Sequence, residues 1–182
     1  PEAMKKWLSN KGLSPDKIEL ISIAAGGDLE RANDLISDTQ VASRYELWKE
    51  TPNSIGSEGY KIAVVVDEIQ KVIDQAQEGI TLRHQEESEA LGELEKQMGI
   101  RGSGRKELEA KHKREIRRFR TDELQFGLSI IANLYKEELV ETPNSSNIRA
   151  IEKIRSTMVT LGRNPNEKLL LQSLFISLSE FK

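Results

Sequence analysis

The chain has 182 residues, no cysteine and a formal net charge of -3, with 37% hydrophobic and 31% charged residues. This length fits one domain or two small ones, and the lack of cysteine excludes disulfides, thiolate metal sites and cysteine nucleophiles. The slightly acidic balance gives no overall attraction to nucleic acid or to a membrane surface. No apolar run approaches the roughly 18 residues of a membrane span, and no signal-peptide pattern is present. We expect a cytoplasmic protein, and the initial Pro1 indicates a fragment.

The N-terminal part of the chain carries the signals of three short helices. Apolar residues at helical spacing predict the first over residues 2–11. Ser14 followed by a proline is typical of a helix start, and this pair predicts the second helix. Asp28 caps the third, which is predicted to extend as far as Trp48 before Pro52 ends it. Together these helices would form a small bundle.

A change in composition separates this bundle from the rest of the chain. Turn-forming residues are dense at 51–59, which predicts a boundary between domains over 1–54 and 55–182. Residues 60–78 follow with a broad apolar face. Their β-branched run "IAVVV" is also typical of a strand, but the 3.6-residue period favours a helix.

Two charged segments flank a glycine-rich tip. Residues 82–98 are mainly acidic and 105–120 mainly basic, and the tip between them covers 99–105. Opposite charges predict an antiparallel helical hairpin that projects into solvent, whose second arm becomes apolar from Phe119 onward and enters a core. The tip is expected to be the most mobile internal segment and the first site of proteolysis, at Arg101 or Arg105. The arms are expected to meet through five apolar side chains: Leu91, Leu94, Met98, Leu108 and Ile116.

Two further helices complete the chain, at about 147–160 and 165–181. The last is strongly apolar, and at 100° per residue one wide face takes Leu170, Leu171, Leu174, Phe175, Leu178 and Phe181. Leu169 and Ile176 fall together on the opposite side. A monomer gains little from two aligned aliphatic residues there, so this pair is predicted to contact a partner.

No catalytic, cofactor or metal site can be placed. The sequence from Gly99 resembles a phosphate-binding loop, but Arg105 replaces its lysine, Lys106 replaces its hydroxyl residue, and an acidic helix precedes it. His84 and His112 lie at similar heights on the two hairpin arms without a converging set of carboxylates, so they are expected to be solvated or packed. We therefore predict an all-α protein that is not an enzyme and needs no cofactor.

The basic arm leaves two interpretations open. Its candidate contacts are Arg105, Lys106, Lys113, Arg114, Arg117 and Arg118. The acidic arm beside them favours ion pairs within the hairpin, since the run carries a single aromatic residue and nucleic-acid sites usually interleave more. The alternative is a helical module that binds DNA or a partner through this helix.

The order of the pieces resembles a known family. The bundle containing "GGDLERAND", the segment "KELEAKHKREIRRFRTDELQFGLSIIANLYKEEL" and the ending "LGRNPNEKLLLQSLFISL" are similar to the delta-prime subunits of bacterial DNA polymerase III clamp loaders, in particular those of high-GC Gram-positive bacteria. The resemblance covers essentially the whole chain. It implies a three-helix AAA-plus lid at 1–54 and a collar domain at 55–182. It also implies a noncatalytic role in DNA replication, holding together a ring with the delta and gamma/tau subunits and reaching DNA only through the assembled loader.

The same resemblance bears on nucleotide sensing. ATP-binding relatives open the third lid helix with a pattern like "GSLRDA", whose arginine contacts the γ-phosphate. This chain has "GDLERA", which puts Glu30 at that position and Arg31 one residue later. A one-residue offset turns a side chain by about 100° around a helix, and a carboxylate repels phosphate. The resemblance thus implies a lid that does not sense nucleotide, and a response through Arg31 is the alternative.

Overall fold

A computed structural model describes residues 2–56, 58–99, 102 and 104–181, which form eight α-helices and no strand. The prediction of an all-α protein is confirmed. The helices in chain order are α1 (Glu2–Ser9), α2 (Pro15–Ala25), α3 (Leu29–Ser37), α4 (Val41–Ser54), α5 (Gly59–Met98), α6 (Arg105–Glu141), α7 (Ser145–Leu161) and α8 (Glu167–Ser179).

Side-chain caps begin four of these helices. The Ser14 hydroxyl accepts a hydrogen bond from the Lys17 amide at the start of α2, and the Asp28 carboxylate accepts from two amides at the start of α3. Asn144 and Asn166 cap α7 and α8 in the same way. Such caps satisfy amides that have no partner within the helix. The predicted starts at Ser14 and Asp28 are confirmed.

The third predicted helix is wrong in its extent, because the chain breaks between α3 and α4. Asp38 is extended, with ψ 112°, and its carboxylate accepts a hydrogen bond from the Gln40 amide at 2.8 Å. This local turn competes with the helical ladder. Pro52 does not end α4, which continues to Ser54, since a proline in a last turn removes only one helical hydrogen bond. The N-terminal part therefore holds four helices, not three.

The predicted hairpin is formed by α5, with 40 residues, and α6, with 37. Gly99 ends α5 in the left-handed conformation, with φ 65°. Of the predicted tip, residues 100, 101 and 103 lie outside the described residues, so the predictions on its mobility and cleavage remain predictions.

The expected apolar contact between the arms is wrong in part. Leu94 is 46% exposed and Met98 is 62% exposed. Leu91, Leu108 and Ile116 are half-buried. The buried positions in the outer half of the hairpin are instead the polar residues His84, Glu95 and His112.

One continuous apolar core joins the short helices to the bases of α5 and α6 and to α7 and α8. Trp48 of α4 is 1% exposed and lies directly against Gly127 of α6. The predicted stripe is buried at Leu171, Leu174, Phe175 and Leu178 of α8, and it is half-buried at Leu170 and at Phe181, which lies two residues beyond the end of α8. The core thus fixes α4 and α8 against the hairpin base.

Candidate functional site

The two residues predicted to contact a partner are on the free side of α8. Leu169 is 62% exposed and Ile176 is 47% exposed, seven residues apart on one face of the helix. The opposite face, which includes Leu174, packs in the core. Single exposed aliphatic residues are common. Leu169 and Ile176 are separated on their face by the polar Gln172 and Ser173, and they form an interrupted strip of two apolar side chains that is available for contact.

The predicted basic set divides into two groups. Arg105 donates to the buried Glu95 carboxylate, with 2.7 Å between Nε and Oε2. Arg118 donates to Asp28, with 2.5 Å between Nη2 and Oδ2, and so ties α6 to the first turn of α3. These two arginines are engaged within the fold.

The other four basic residues have no carboxylate partner among the described residues. Lys106, Lys113 and Arg114 are exposed and form no ion pair, and Arg117 donates to the Gly162 carbonyl oxygen at 3.3 Å. Spacings of seven and eleven residues put Lys106, Lys113 and Arg117 on one face of α6. This face is opposite the one that packs on α5.

Arg31 is part of a buried ionic network that joins the short helices to α6. Both oxygens of Glu123, a side chain 1% exposed, accept hydrogen bonds at 2.8 Å, one from Arg31 and one from Arg44. Arg44, 2% exposed, also pairs with Asp38, and Arg31 donates to the Ala24 carbonyl oxygen. Two guanidiniums and two carboxylates thus compensate each other, with Glu123 and Arg44 buried and Asp38 24% exposed. Glu30, by contrast, is exposed.

This network was not predicted from the sequence. Its one signal is the position of Glu123, four residues before Gly127 and seven before Ile130, on the apolar face of α6. A carboxylate on a buried stripe needs a cationic partner, but the partners lie 79 and 92 residues away in the chain.

The two histidines meet inside the hairpin. Their rings stack with centroids 3.8 Å apart, and both side chains are buried. His84 Nε2 lies 2.9 Å from Glu115 of the opposite arm, and His112 Nε2 lies 3.0 Å from Glu87. The hydrogen bond from His112, together with Lys111, lowers the pKa of Glu87 to about 2. Of the two expected outcomes, solvated or packed, the structure shows packed histidines. Their carboxylate partners were not predicted.

In the part of the chain that the structure describes, no three histidine, aspartate or glutamate side chains are grouped so as to hold a metal ion. Within residues 2–56, 58–99, 102 and 104–181, no helix is long and apolar enough to cross a bilayer.

Comparisons of the chain with protein-family models, with curated proteins and with solved structures found no match.

Proposed function

We propose that this chain is a noncatalytic, assembly-forming part of a bacterial clamp loader, equivalent to the lid and collar of its delta-prime subunit. The sequence segments quoted above suggest the family, and the exposed strip of Leu169 and Ile176 is the observation that carries the proposal. An apolar strip opposite a buried face is what a ring-forming helix offers to a neighbouring subunit. The role is mechanical: the collar joins subunits in the cytoplasm, and the lid links the collar to an AAA-plus domain.

The ionic network supports a lid that does not respond to nucleotide. Arg31 is the side chain that a one-residue shift would place at the sensor position, and its guanidinium is bound to Glu123 and to the Ala24 carbonyl oxygen. Releasing it to contact a phosphate would leave Glu123 paired with Arg44 alone. Removing one of the two cationic partners of a buried carboxylate destabilises the fold.

Gel filtration with the delta and gamma/tau subunits tests the assembly role. The double variant Leu169→Glu and Ile176→Glu is expected to keep its helicity and melting temperature, because both side chains are exposed, but to lose co-elution with these subunits. Val140→Glu with Val159→Glu is the matched control, since those residues are 84% and 69% exposed on α6 and α7. Full co-elution of the α8 variant rejects the interface, and unfolding of the α8 variant alone would place the two residues in the core.

A helical DNA-binding module is the second candidate, favoured by the exposed cations Lys106, Lys113 and Arg114, which have no carboxylate partner among the described residues. Phosphate contacts of this kind give binding that weakens steeply as salt rises. Replacing these three residues by glutamine should then abolish DNA retention at about 50 mM salt. Absence of DNA retention in the unmodified chain would reject this candidate. Loss of subunit assembly by the α8 variant would support the collar function independently of that result.

A further inference from the structure

A cleft of about 520 Å³ opens between α3, α5 and α6, and no residue of α7 or α8 lines it. This volume falls within the range of about 300 to 1,000 Å³ that is common for ligand sites in proteins. The cleft therefore has the size of a binding site and is separate from the exposed strip on α8.

One wall of the cleft is apolar and contains a glycine in the middle of a long helix. Ala76 and Ile80 of α5 face Phe119 of α6 across this wall, and all three are half-buried. Gly79 lies between the two α5 residues, and a Cβ added there would meet nothing within 4 Å. A mid-helix glycine disfavours the helix relative to alanine, and its effect here is to leave open space where a side chain would stand.

The charges around the cleft are unbalanced, with six carboxylates against three guanidiniums. All three arginines already have carboxylate partners: Arg31 with Glu123, Arg83 with Glu115, and Arg118 with Asp28. Arg44, which does not line the cleft, pairs with Asp38 and Glu123. Among the described residues, the lining carboxylates without a hydrogen-bonded cation are therefore Glu30, Asp34 and Asp122, and the unmatched charge is negative.

Asp122 is the half-buried member of these three carboxylates. Its nearest cationic atoms are Arg118 Nε at 3.8 Å and Arg31 Nη1 at 3.9 Å, both beyond hydrogen-bond distance, and its side chain is only 30% exposed. Burial raises the pKa of this carboxyl group above its ordinary value. Asp34 of α3, also lining the cleft, forms no ion pair with any described residue. A half-buried carboxylate without a direct donor is stabilised by an incoming cation.

We propose that this cleft binds a basic peptide segment of a partner protein. An aliphatic side chain of that segment would lie against Ala76, Ile80 and Phe119 in the space beside Gly79. A guanidinium or ammonium group next to it would pair with Asp122 and Asp34. The net negative lining disfavours a phosphate group or a nucleic acid at the same place.

A titration with two dipeptides tests the chemistry. The probes are acetyl-Leu-Arg-amide and its matched counterpart acetyl-Leu-Glu-amide, added to the ¹⁵N-labelled chain and followed by NMR. Saturable shifts are expected at the amides of Gly79 and Ile80 with the arginine probe alone. Equal shifts with both probes, or no shift with the arginine probe, overturn the proposal.

Two variants and one control test the location. Gly79→Leu fills the open space and should weaken binding of the arginine probe at least about tenfold, and Asp122→Asn should weaken it about tenfold by removing the charged acceptor. Gly92→Leu on the same helix also meets nothing within 4 Å, lies outside the cleft, and should bind as the unmodified chain does. Because leucine favours a helix more than glycine, Gly79→Leu should melt at or above the original temperature. Unchanged binding by Gly79→Leu or Asp122→Asn rejects the cleft as the site, whatever the α8 variant does in subunit assembly.

Discussion

Replacing Gly127 by alanine should strongly destabilise the fold, because Trp48 occupies the space that a side chain would need. A Cβ at this position would lie 1.9 Å from Trp48 Cε2 and 2.0 Å from Cδ2. Carbon atoms in contact prefer separations of about 3.5 to 4.0 Å, so either the indole or α6 must move by roughly 1.5 Å. Trp48 is 1% exposed, and its surroundings leave it little room to move.

Two costs and one gain set the change in the free energy of unfolding. Overpacking a core costs about 1 to 3 kcal/mol, and displacing the indole adds part of the roughly 3 to 5 kcal/mol that a buried tryptophan contributes. Alanine in place of a mid-helix glycine stabilises the helix by about 1 kcal/mol through its higher helix propensity. The expected net loss is about 2 to 4 kcal/mol. At about 2 to 4 °C per kcal/mol for a chain of this size, the melting temperature should fall by about 5 to 15 °C.

Thermal and urea unfolding, followed by circular dichroism and tryptophan fluorescence, measure this loss. The matched controls are Gly79→Ala and Gly92→Ala on α5, where an added Cβ meets nothing within 4 Å. Both controls should stabilise the chain by about 0.4 to 1 kcal/mol. The double variant Gly127→Ala with Trp48→Leu should lose less than the sum of its single changes, because the clash is shared. A Gly127→Ala protein that melts at or above the original temperature would refute the reasoning.

Two further predictions concern charged groups. Glu123→Ala should lower the free energy of unfolding by about 3 to 5 kcal/mol, measured by urea denaturation, because it leaves Arg31 and Arg44 buried without this carboxylate. For Glu87, the folded-state pKa of about 2 lies below the ordinary 4.5, so its ionised form stabilises the fold above pH 4.5. That contribution is lost as the pH falls from 4.5 toward 2, and urea midpoints measured across this window should fall less steeply in Glu87→Gln.

The features that the sequence predicted well are those set by local chemistry. The caps at Ser14 and Asp28 depend on residues within one turn, and the burial of Leu174 follows from the 100° spacing along one helix. The opposite charges of residues 82–98 and 105–120 predicted a hairpin because only an antiparallel pairing lets them compensate. These inferences require no knowledge of distant parts of the chain.

The features that the sequence did not predict depend on contacts between distant residues. Glu123 lies on the apolar face of α6, which indicates burial, but its cationic partners Arg31 and Arg44 are 92 and 79 residues away in the chain, so the pairing could not be predicted from the local pattern. The break at Asp38 has a different, local origin, because its carboxylate accepts a hydrogen bond from the Gln40 amide two residues on and pairs with Arg44 six residues on. The predicted third helix continued to Trp48 through Ser37, Asp38 and Thr39, which are weak helix formers, and the bonds of the Asp38 side chain end it there.

The polar contacts of the outer hairpin select its register more than they stabilise it. The stacked rings of His84 and His112 are each bonded to a glutamate of the opposite arm, so the two contacts cross between α5 and α6. Sliding one arm by a turn, about 5.4 Å, would separate the rings and break both hydrogen bonds. Exposed ion pairs such as Lys111 with Glu87 add only about 0 to 1 kcal/mol each. The strong apolar packing of the hairpin is confined to its base around Leu128, so the base holds the arms together and the histidine pair fixes how they align.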